Sequence, residues 1–600
     1  MKVWQPGSHL TMHRGAQVQD WSWRRTARRV SVLARLASPY KLRTSLAVGS
    51  LLAATLAGLA PPYLAKLAVD QGIRGGDFGY LIWIVVLFLV AGAASLLATA
   101  AQTYFTGWTG ERILADLRNR LFRHLQRLSL GFYERNRAGV VVSRLTNDVD
   151  ALDQLVTEGV TTLVQNTLIL IGSAIILFVL DWRLALATLT VLPLMAVATA
   201  LFRVYSSRAY RSVRERLGLV TATLAEDIAG MRVVQSFTRE SANERRFREV
   251  NDHYRAANHR TVVTNGLYFP FVDFLSTAAT AIVVGYGGWL YFAGDVTLGT
   301  LLAFMLYLSN FFDPVQQLSQ LYNTFLAAVA ALDKIMDVID EEPEVVDAPG
   351  AIDLPEIEGH VRFESLRFGY GDGPEVLHGL DLDVPAGTTV ALVGHTGAGK
   401  STSAKLLARF YEPRSGRITI DGIDLRTVSQ RSLRRQLGIV PQEGFLFAGT
   451  VHDNIAFGRP GATRDEVVEA ARIVGAHDFV EQLEDGYDTE IQERGSRLSL
   501  GQRQLVAFAR ALLADPRILV LDEATSSVDI GTERKIEEAL RALLADRTAF
   551  IIAHRLSTIR DADLIVVLEH GRVVEQGSHD ELMARRGLYT ALYGDWAEVA

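Results

Sequence analysis

Cysteine is absent from the 600 residues, which excludes a disulfide framework, a thiolate metal site and a cysteine nucleophile and leaves the redox compartment unreadable. Charge is scarce. Only 21% of residues carry it, and 61 Lys and Arg against 67 Asp and Glu give a formal net charge of -6, so no global basic field is present to hold nucleic acid. Wholesale disorder is excluded in turn, because 49% of the chain is apolar and the mean hydropathy of +0.16 lies above that of an ordinary soluble domain. Long apolar runs are missing after Pro343. Before it they dominate.

About 20 apolar helical residues cross a hydrocarbon core of ~30 Å. Six stretches of about that length contain no Asp, Glu, Lys or Arg: 44–65, 81–101, 159–180, 184–202, 274–294 and 296–312. Asp181, Trp182 and Arg183 separate the third from the fourth and Asp295 the fifth from the sixth, room only for tight turns. One such run would fit a buried soluble core equally well, but six together point to lipid.

Basic residues are retained on the cytoplasmic side. The first 43 residues hold nine Lys and Arg, the 111–150 link eight Arg and the 203–260 link twelve. The opposite links supply Arg74 and Arg183. The N-terminus, both long links and everything after the sixth span are therefore expected in the cytosol of a multi-pass protein of the cytoplasmic membrane. No apolar core of signal-peptide type precedes Thr44. Trp21, Trp23, Val30, Val32 and Leu33 among the arginines of this 1–43 arm suit an interfacial helix on anionic lipid, and a solvated arm fits them too. Helical spacing of Leu114, Leu117, Leu121, Leu125 and Leu128, and of Leu217, Leu224 and Ile228, predicts that the membrane helices continue into the cytosol.

The six-span domain, 44–339, gives way to a connector over 340–356 rich in acids and proline. From 357 to 600, short Val/Leu/Ile strands alternate with helical patterns, the signature of α/β layering around a largely parallel sheet. A strand run at 388–393 is followed by Gly394, His395, Thr396, Gly397, Ala398, Gly399, Lys400, Ser401 and Thr402, then by helix. This is a phosphate-binding loop: glycines let backbone N–H groups converge on phosphate oxygens, Lys400 reaches the terminal phosphates and Ser401 ligates Mg²⁺. A second strand at 518–521 ends in Asp522 and Glu523, one acid for the Mg²⁺ shell and one to polarise the attacking water. His554, after a strand at 549–553, fits a bond to the γ-phosphate that orients the attacking water, and a structural role as well; Gln442, after a strand at 437–440, is equally open when taken singly. The predicted fold class is thus an α-helical transmembrane domain, six helices with long cytosolic extensions, fused to an α/β P-loop NTPase domain.

In these residues the chain resembles the ATP-binding cassette exporters, with six helices and one cassette per subunit. Leu498, Ser499, Leu500, Gly501 and Gln502 resemble that family's signature L-S-G-G-Q, a helix N-terminus shown to the partner subunit's nucleotide. The resemblance further implies that Tyr370 stacks on adenine, that Gln442 senses Mg²⁺ and the membrane domain, that Ser527 to Asp529 form the D-loop and that Glu523 and His554 are catalytic. Ser499, Gly501 and Gln502 would complete the partner's ATP site. Glu490 with Glu493 to Gly495 resembles the exporter-specific loop, and 112–123 and 226–230 the transverse coupling helices.

Leu500 departs from the family, which has glycine there. A positive φ at this position would cost a leucine about 1–2 kcal/mol, and otherwise its side chain would crowd the γ-phosphate. Leu-Ser-x-Gly-Gln followed by Arg503, Gln504 and Leu505 is similar to the catalytically intact subunit of heterodimeric multidrug exporters, so the resemblance favours a heterodimer of two half-transporters over a homodimer. The cofactors implied are ATP and Mg²⁺, and the cargo a hydrophobic or amphipathic small molecule or lipid. Asp273 and Asp313 are candidate cavity acids for a cationic amphiphile; helix-end acids facing headgroups fit as well. Tyr268, Phe269, Phe271, Tyr307 and Phe311 suit apolar cargo or plain helix packing. Import of a metal chelate and a non-transporting, ATP-gated regulator are the alternative functions.

Overall fold

The structure, a computed structural model, describes residues 37–599 apart from 443, 493, 494, 496, 523–529 and 554. The arm containing Trp21 to Leu33 lies outside the described residues. The chain divides into two compact units, one built on residues up to Gln126 and on Ala138–Glu341, the other on Arg127–Arg137 and Glu342–Ala600.

Among the described residues, six helices of the first unit are long and apolar enough to cross a membrane. Its framework is α1 (Lys41–Leu67) and α2 (Phe78–Leu125), then, beyond the short α3 (Leu130–Arg135) that belongs to the second unit, α4 (Val160–Leu180), α5 (Leu192–Ala229), α6 (Met231–Ser236), α7 (Glu240–Ile282) and α8 (Leu298–Ile339). Polar residues in the links between the apolar runs are caps. Asp77 accepts from the Tyr80 N–H, Asp181 from Leu184 and Thr297 from Thr300, each satisfying an orphan donor at a helix start. Lys66, in the last turn of α1, adds one more basic residue to the links opposite the cytosolic ones.

Burial ranks the helices. Half of α8's most apolar window is buried against 6% of α2's, so α8 forms the centre of the bundle while α2 turns Leu89, Val90, Leu96 and Leu97 outward. Tyr268, Val272, Ala279, Phe304, Tyr307 and Leu308 form its core. The Tyr307 hydroxyl, fully buried, donates to the Leu59 carbonyl at 2.5 Å, just ahead of Pro61 and Pro62 in α1. The donors that Pro61 and Pro62 lack would serve the carbonyls of Ala57 and Gly58, so the Tyr307 bond to Leu59 is an additional tie between α8 and α1 and not a substitute for them.

The two stretches that resemble transverse coupling helices form no separate helices. Residues 112–123 lie within α2, where Ile113, Leu114, Leu117 and Leu121 are buried, because the leucine spacing that predicts an extension also forbids a transverse break. The break comes after Gln126, at α3. Likewise 226–230 closes α5, and the short helix is α6, which starts after Gly230.

The second unit holds two principal sheets. One is antiparallel: β1 (Val361–Phe368) sits between β2 (Leu377–Val384) and β4 (Ser415–Ile420), with Ile423–Asp424 on the outer edge. The other contains β3 (Thr389–Val393), β5 (Leu437–Val440), β6 (Ile518–Asp522), β7 (Thr548–Ile552), β8 (Leu564–Glu569) and β9 (Arg572–Gly577) in the order β9-β8-β3-β7-β6-β5. Every pair in it is parallel except β8 with β9. The antiparallel sheet is an addition to the expected parallel one. Phe363 and Leu382 from the first sheet share a core with Val390, Val520 and Phe550 from the second, so both serve one hydrophobic centre.

Candidate functional site: a phosphate loop and its surroundings

The loop is positioned by β3, which lies inside the sheet between β8 and β7 and is buried along all but its first residue. Chain leaving this strand turns directly into α9 (Lys400–Leu407). The turn needs glycine. Gly394 has φ +143° and a Cβ there would press on the Leu568 carbonyl, while at Gly399, φ +107°, it would meet Leu377 Cδ2 at 2.6 Å.

Lys400 is 8% exposed. Its Nζ donates to the carbonyls of Gly394 at 2.6 Å and His395 at 3.1 Å, curling the loop around the ammonium. Burial pulls its pKa below the usual lysine value, and the Asp522 carboxylate opposes that shift. Asp522 ends β6 opposite Ile552 of β7, and β7 in turn pairs with β3, so two strands that flank β7 carry cation and anion to one end of the sheet. His395, Thr396, Gly397 and Ser401 are exposed around this pair; Ala398 is buried.

Thr402 is buried and faces Tyr370, the two hydroxyls 3.1 Å apart. Tyr370 is also held edge-on by Phe368, at 4.9 Å between centroids, and by Tyr411 at 5.1 Å. Its ring is therefore a fixed platform beside the first turns of α9. Gln442 lies exposed beyond the end of β5. Oxygen donors from Ser401 and Asp522 suit Mg²⁺. No group of three His, Cys, Asp or Glu converges among the described residues, so a magnesium ion here would share its shell with nucleotide phosphates. Glu523, His554 and Ser527 to Asp529 lie outside the described residues, as does Glu493.

The signature segment opens α10 (Leu500–Ala514). Ser499 is its cap: its hydroxyl accepts from the Gln502 N–H at 3.2 Å and the Gln502 side chain accepts from the Ser499 N–H at 2.9 Å. Leu500 is the first helical residue and is absent from the positive-φ positions. The expectation of backbone strain is therefore corrected; what remains is its half-buried side chain at a helix N-terminus.

Within the membrane unit, Gln316 Nε2 of α8 donates to Asp273 of α7 at 2.9 Å. Asp313 lies one turn before Gln316, and both carboxylates are exposed. Tyr268, Tyr307 and Phe311 are buried packing residues, whereas Phe271 is exposed. Sequence reasoning missed Glu134, Lys405 and Tyr411, which cluster beside Tyr370; nothing in their spacing marks them.

The chain matches the family described as ABC transporter transmembrane region over residues 45–315 and that described as ABC transporter over 377–526. It belongs to the ABC transporters. It is 42% identical to an uncharacterized ABC transporter ATP-binding protein of Bacillus subtilis, YknV, over 89% of this chain and 88% of that one. An ATP-dependent lipid A-core flippase of Syntrophus aciditrophicus is 40% identical over 94% and 93%. Among solved structures, a bacterial Atm1-family ABC exporter with ATP bound shares 34% identity and a TM-score of 0.78 over 93% of this chain and 98% of that one. The transporter is accordingly a multi-pass membrane protein of exporter type whose cassette couples ATP hydrolysis to transport.

Proposed function

We propose that this transporter exports hydrophobic or amphipathic compounds, drug-like molecules or lipids, across the cytoplasmic membrane as one half of a heterodimer. The observation that carries the cargo class is the pairing of Asp273 with Gln316, with Asp313 one turn away, beside the apolar stretches of α7 and α8. Carboxylates at membrane depth serve protein or water, and a cationic amphiphile satisfies acid and apolar wall together. Similarity to a lipid flippase points the same way.

Mg²⁺ and ATP would be held by Lys400, Ser401, Asp522 and Gln442, with Tyr370 under the adenine. The metal would offset phosphate charge, while Lys400 would fix the terminal phosphates, His554 would bond the γ-phosphate and orient the attacking water, and Glu523 would polarise that water. Ser499, Gly501 and Gln502 would close over the partner's nucleotide. Leu500 at that closing surface favours a partner whose bound nucleotide tolerates it, hence a second, different subunit. ATP drives the cycle because it binds the closed pair of cassettes better than the open one. Purification of the native complex tests the pairing: two bands of unequal mass in equal amount are expected, and a single species contradicts the heterodimer. In vesicles, ATP-dependent movement of a cationic dye or labelled lipid is expected; ATPase without movement of either contradicts the cargo class.

A further inference from the structure

Eleven residues of the first cytosolic link, Arg127–Arg137, pack as part of the cassette unit. They are tied in at several points. Ser129 accepts from the Val345 N–H at 3.0 Å, Leu130 packs on the core that contains Tyr411, and Arg135 pairs with Glu344. Gly131 permits the approach, since a Cβ there would collide with Glu344 and with the Tyr411 ring. From this anchored segment Glu134 reaches two residues of the nucleotide region. One carboxylate oxygen accepts from Lys405 Nζ at 2.7 Å and the other from the Tyr411 hydroxyl at 2.7 Å.

Both partners of Glu134 touch Tyr370. Tyr411 stands edge-on to it at 5.1 Å, and Lys405 Nζ lies 5.8 Å from its ring centroid. Lys405 belongs to α9, the helix opened by Lys400, and Thr402 in the same helix holds the Tyr370 hydroxyl. The platform ring is thus held at its hydroxyl by Thr402 and at its ring by two residues that share a single carboxylate. Burial would raise the Glu134 pKa, but the bonds from Lys405 and Tyr411 outweigh it and hold the group below the usual range. Burial, aided by the same carboxylate, pushes the Tyr411 hydroxyl well above its ordinary value. At neutral pH the arrangement is a carboxylate accepting from an ammonium and a neutral phenol.

We propose that Glu134 is a positioning residue for the nucleobase: through Lys405 and Tyr411 it sets the angle of the Tyr370 ring, so that the adenine pocket is complete only while the first cytosolic link is seated. The proposal rests on the reading of Tyr370 as the adenine platform. Nucleobase affinity and link placement are then one equilibrium, and base stacking favours the seated link as much as the seated link favours the base.

The test uses the full-length transporter in its native complex. For Glu134→Gln we expect the KM for ATP to rise about 3- to 10-fold with kcat changed less than about twofold, the signature of lost binding common to ground and transition states. The inhibition constant of inorganic tripolyphosphate, which has no base, should not move. Glu134→Asp should recover part of the loss, and Tyr411→Phe, which keeps the ring and deletes the donor, should shift KM in the same direction. Tyr411→Phe carries the test alone should Glu134→Gln not fold. A control with Tyr370→Ala separates the two readings. If that control raises KM while Glu134→Gln and Tyr411→Phe leave it unchanged, the role of Glu134 is refuted and the platform stands. An unchanged KM in Tyr370→Ala removes the platform and the proposal with it. A fall in kcat at constant KM in Glu134→Gln, or an equal loss of tripolyphosphate affinity, also overturns the proposal.

Discussion

The membrane bundle and the cassette are specified in different ways. In the bundle, position matters little and run length matters a great deal: α2 presents Leu89, Val90, Leu96 and Leu97 to the outside, and any apolar residue of similar size would serve there. In the cassette, single atoms are fixed. Gly394 cannot carry a Cβ without striking a carbonyl, and Lys400 Nζ is held by two loop oxygens. The difference follows from the partner each surface meets. Lipid tails are interchangeable, whereas a triphosphate presents charge at fixed points.

That contrast is broken or sharpened by substitution. The largest effect is expected at Lys400. Lys400→Ala should lower ATPase about 100-fold or more, the scale of losing a key donor to developing charge, while Leu89→Ile leaves turnover within about twofold. Next in size is Gly394→Ala, which adds one methyl group. It should abolish tight nucleotide retention, measured with a fluorescent ATP analogue, because positive φ and the Leu568 carbonyl both oppose it.

A smaller effect is expected where the bundle does depend on one atom. Tyr307→Phe removes the donor to the Leu59 carbonyl and should destabilise the purified protein by about 0.5–1.5 kcal/mol in thermal unfolding, with ATPase of the folded fraction retained. No shift would show that the Leu59 carbonyl gains nothing from the Tyr307 hydroxyl. The smallest is Leu500→Gly. Since Leu500 opens a helix with ordinary backbone angles, no strain is relieved and Tm should stay the same or fall slightly. A rise of several degrees would reinstate strain; a change in turnover at constant Tm would report crowding of the partner's nucleotide.

Legibility followed the same division. The six spans were readable because ~20 apolar residues are a direct measure of bilayer thickness, and the caps Asp181 and Thr297 fall where the runs break. The phosphate loop was readable because its glycines, lysine and flanking strand are each demanded by the ligand. What the sequence hid were contacts between distant segments. The antiparallel sheet pairs β1 with β2 and β4 through ordinary alternating residues, and Glu134 meets Lys405 and Tyr411 across 271 and 277 positions of chain. An arginine-rich leucine pattern such as 112–123 reads as a surface helix wherever it occurs, and only the end of α2 at Leu125 shows that it continues the membrane helix without a break.

The central claim, that nucleotide held by the Lys400 loop drives cargo through the six-helix bundle, is tested most directly by flux in reconstituted vesicles. Wild-type complex and its Lys400→Ala counterpart would be loaded with a cationic fluorescent dye and supplied with Mg²⁺ and ATP. Transport in the wild type that ceases in the variant, with equal amounts of folded protein in the bilayer, is the predicted result. Equal flux from both would contradict the account.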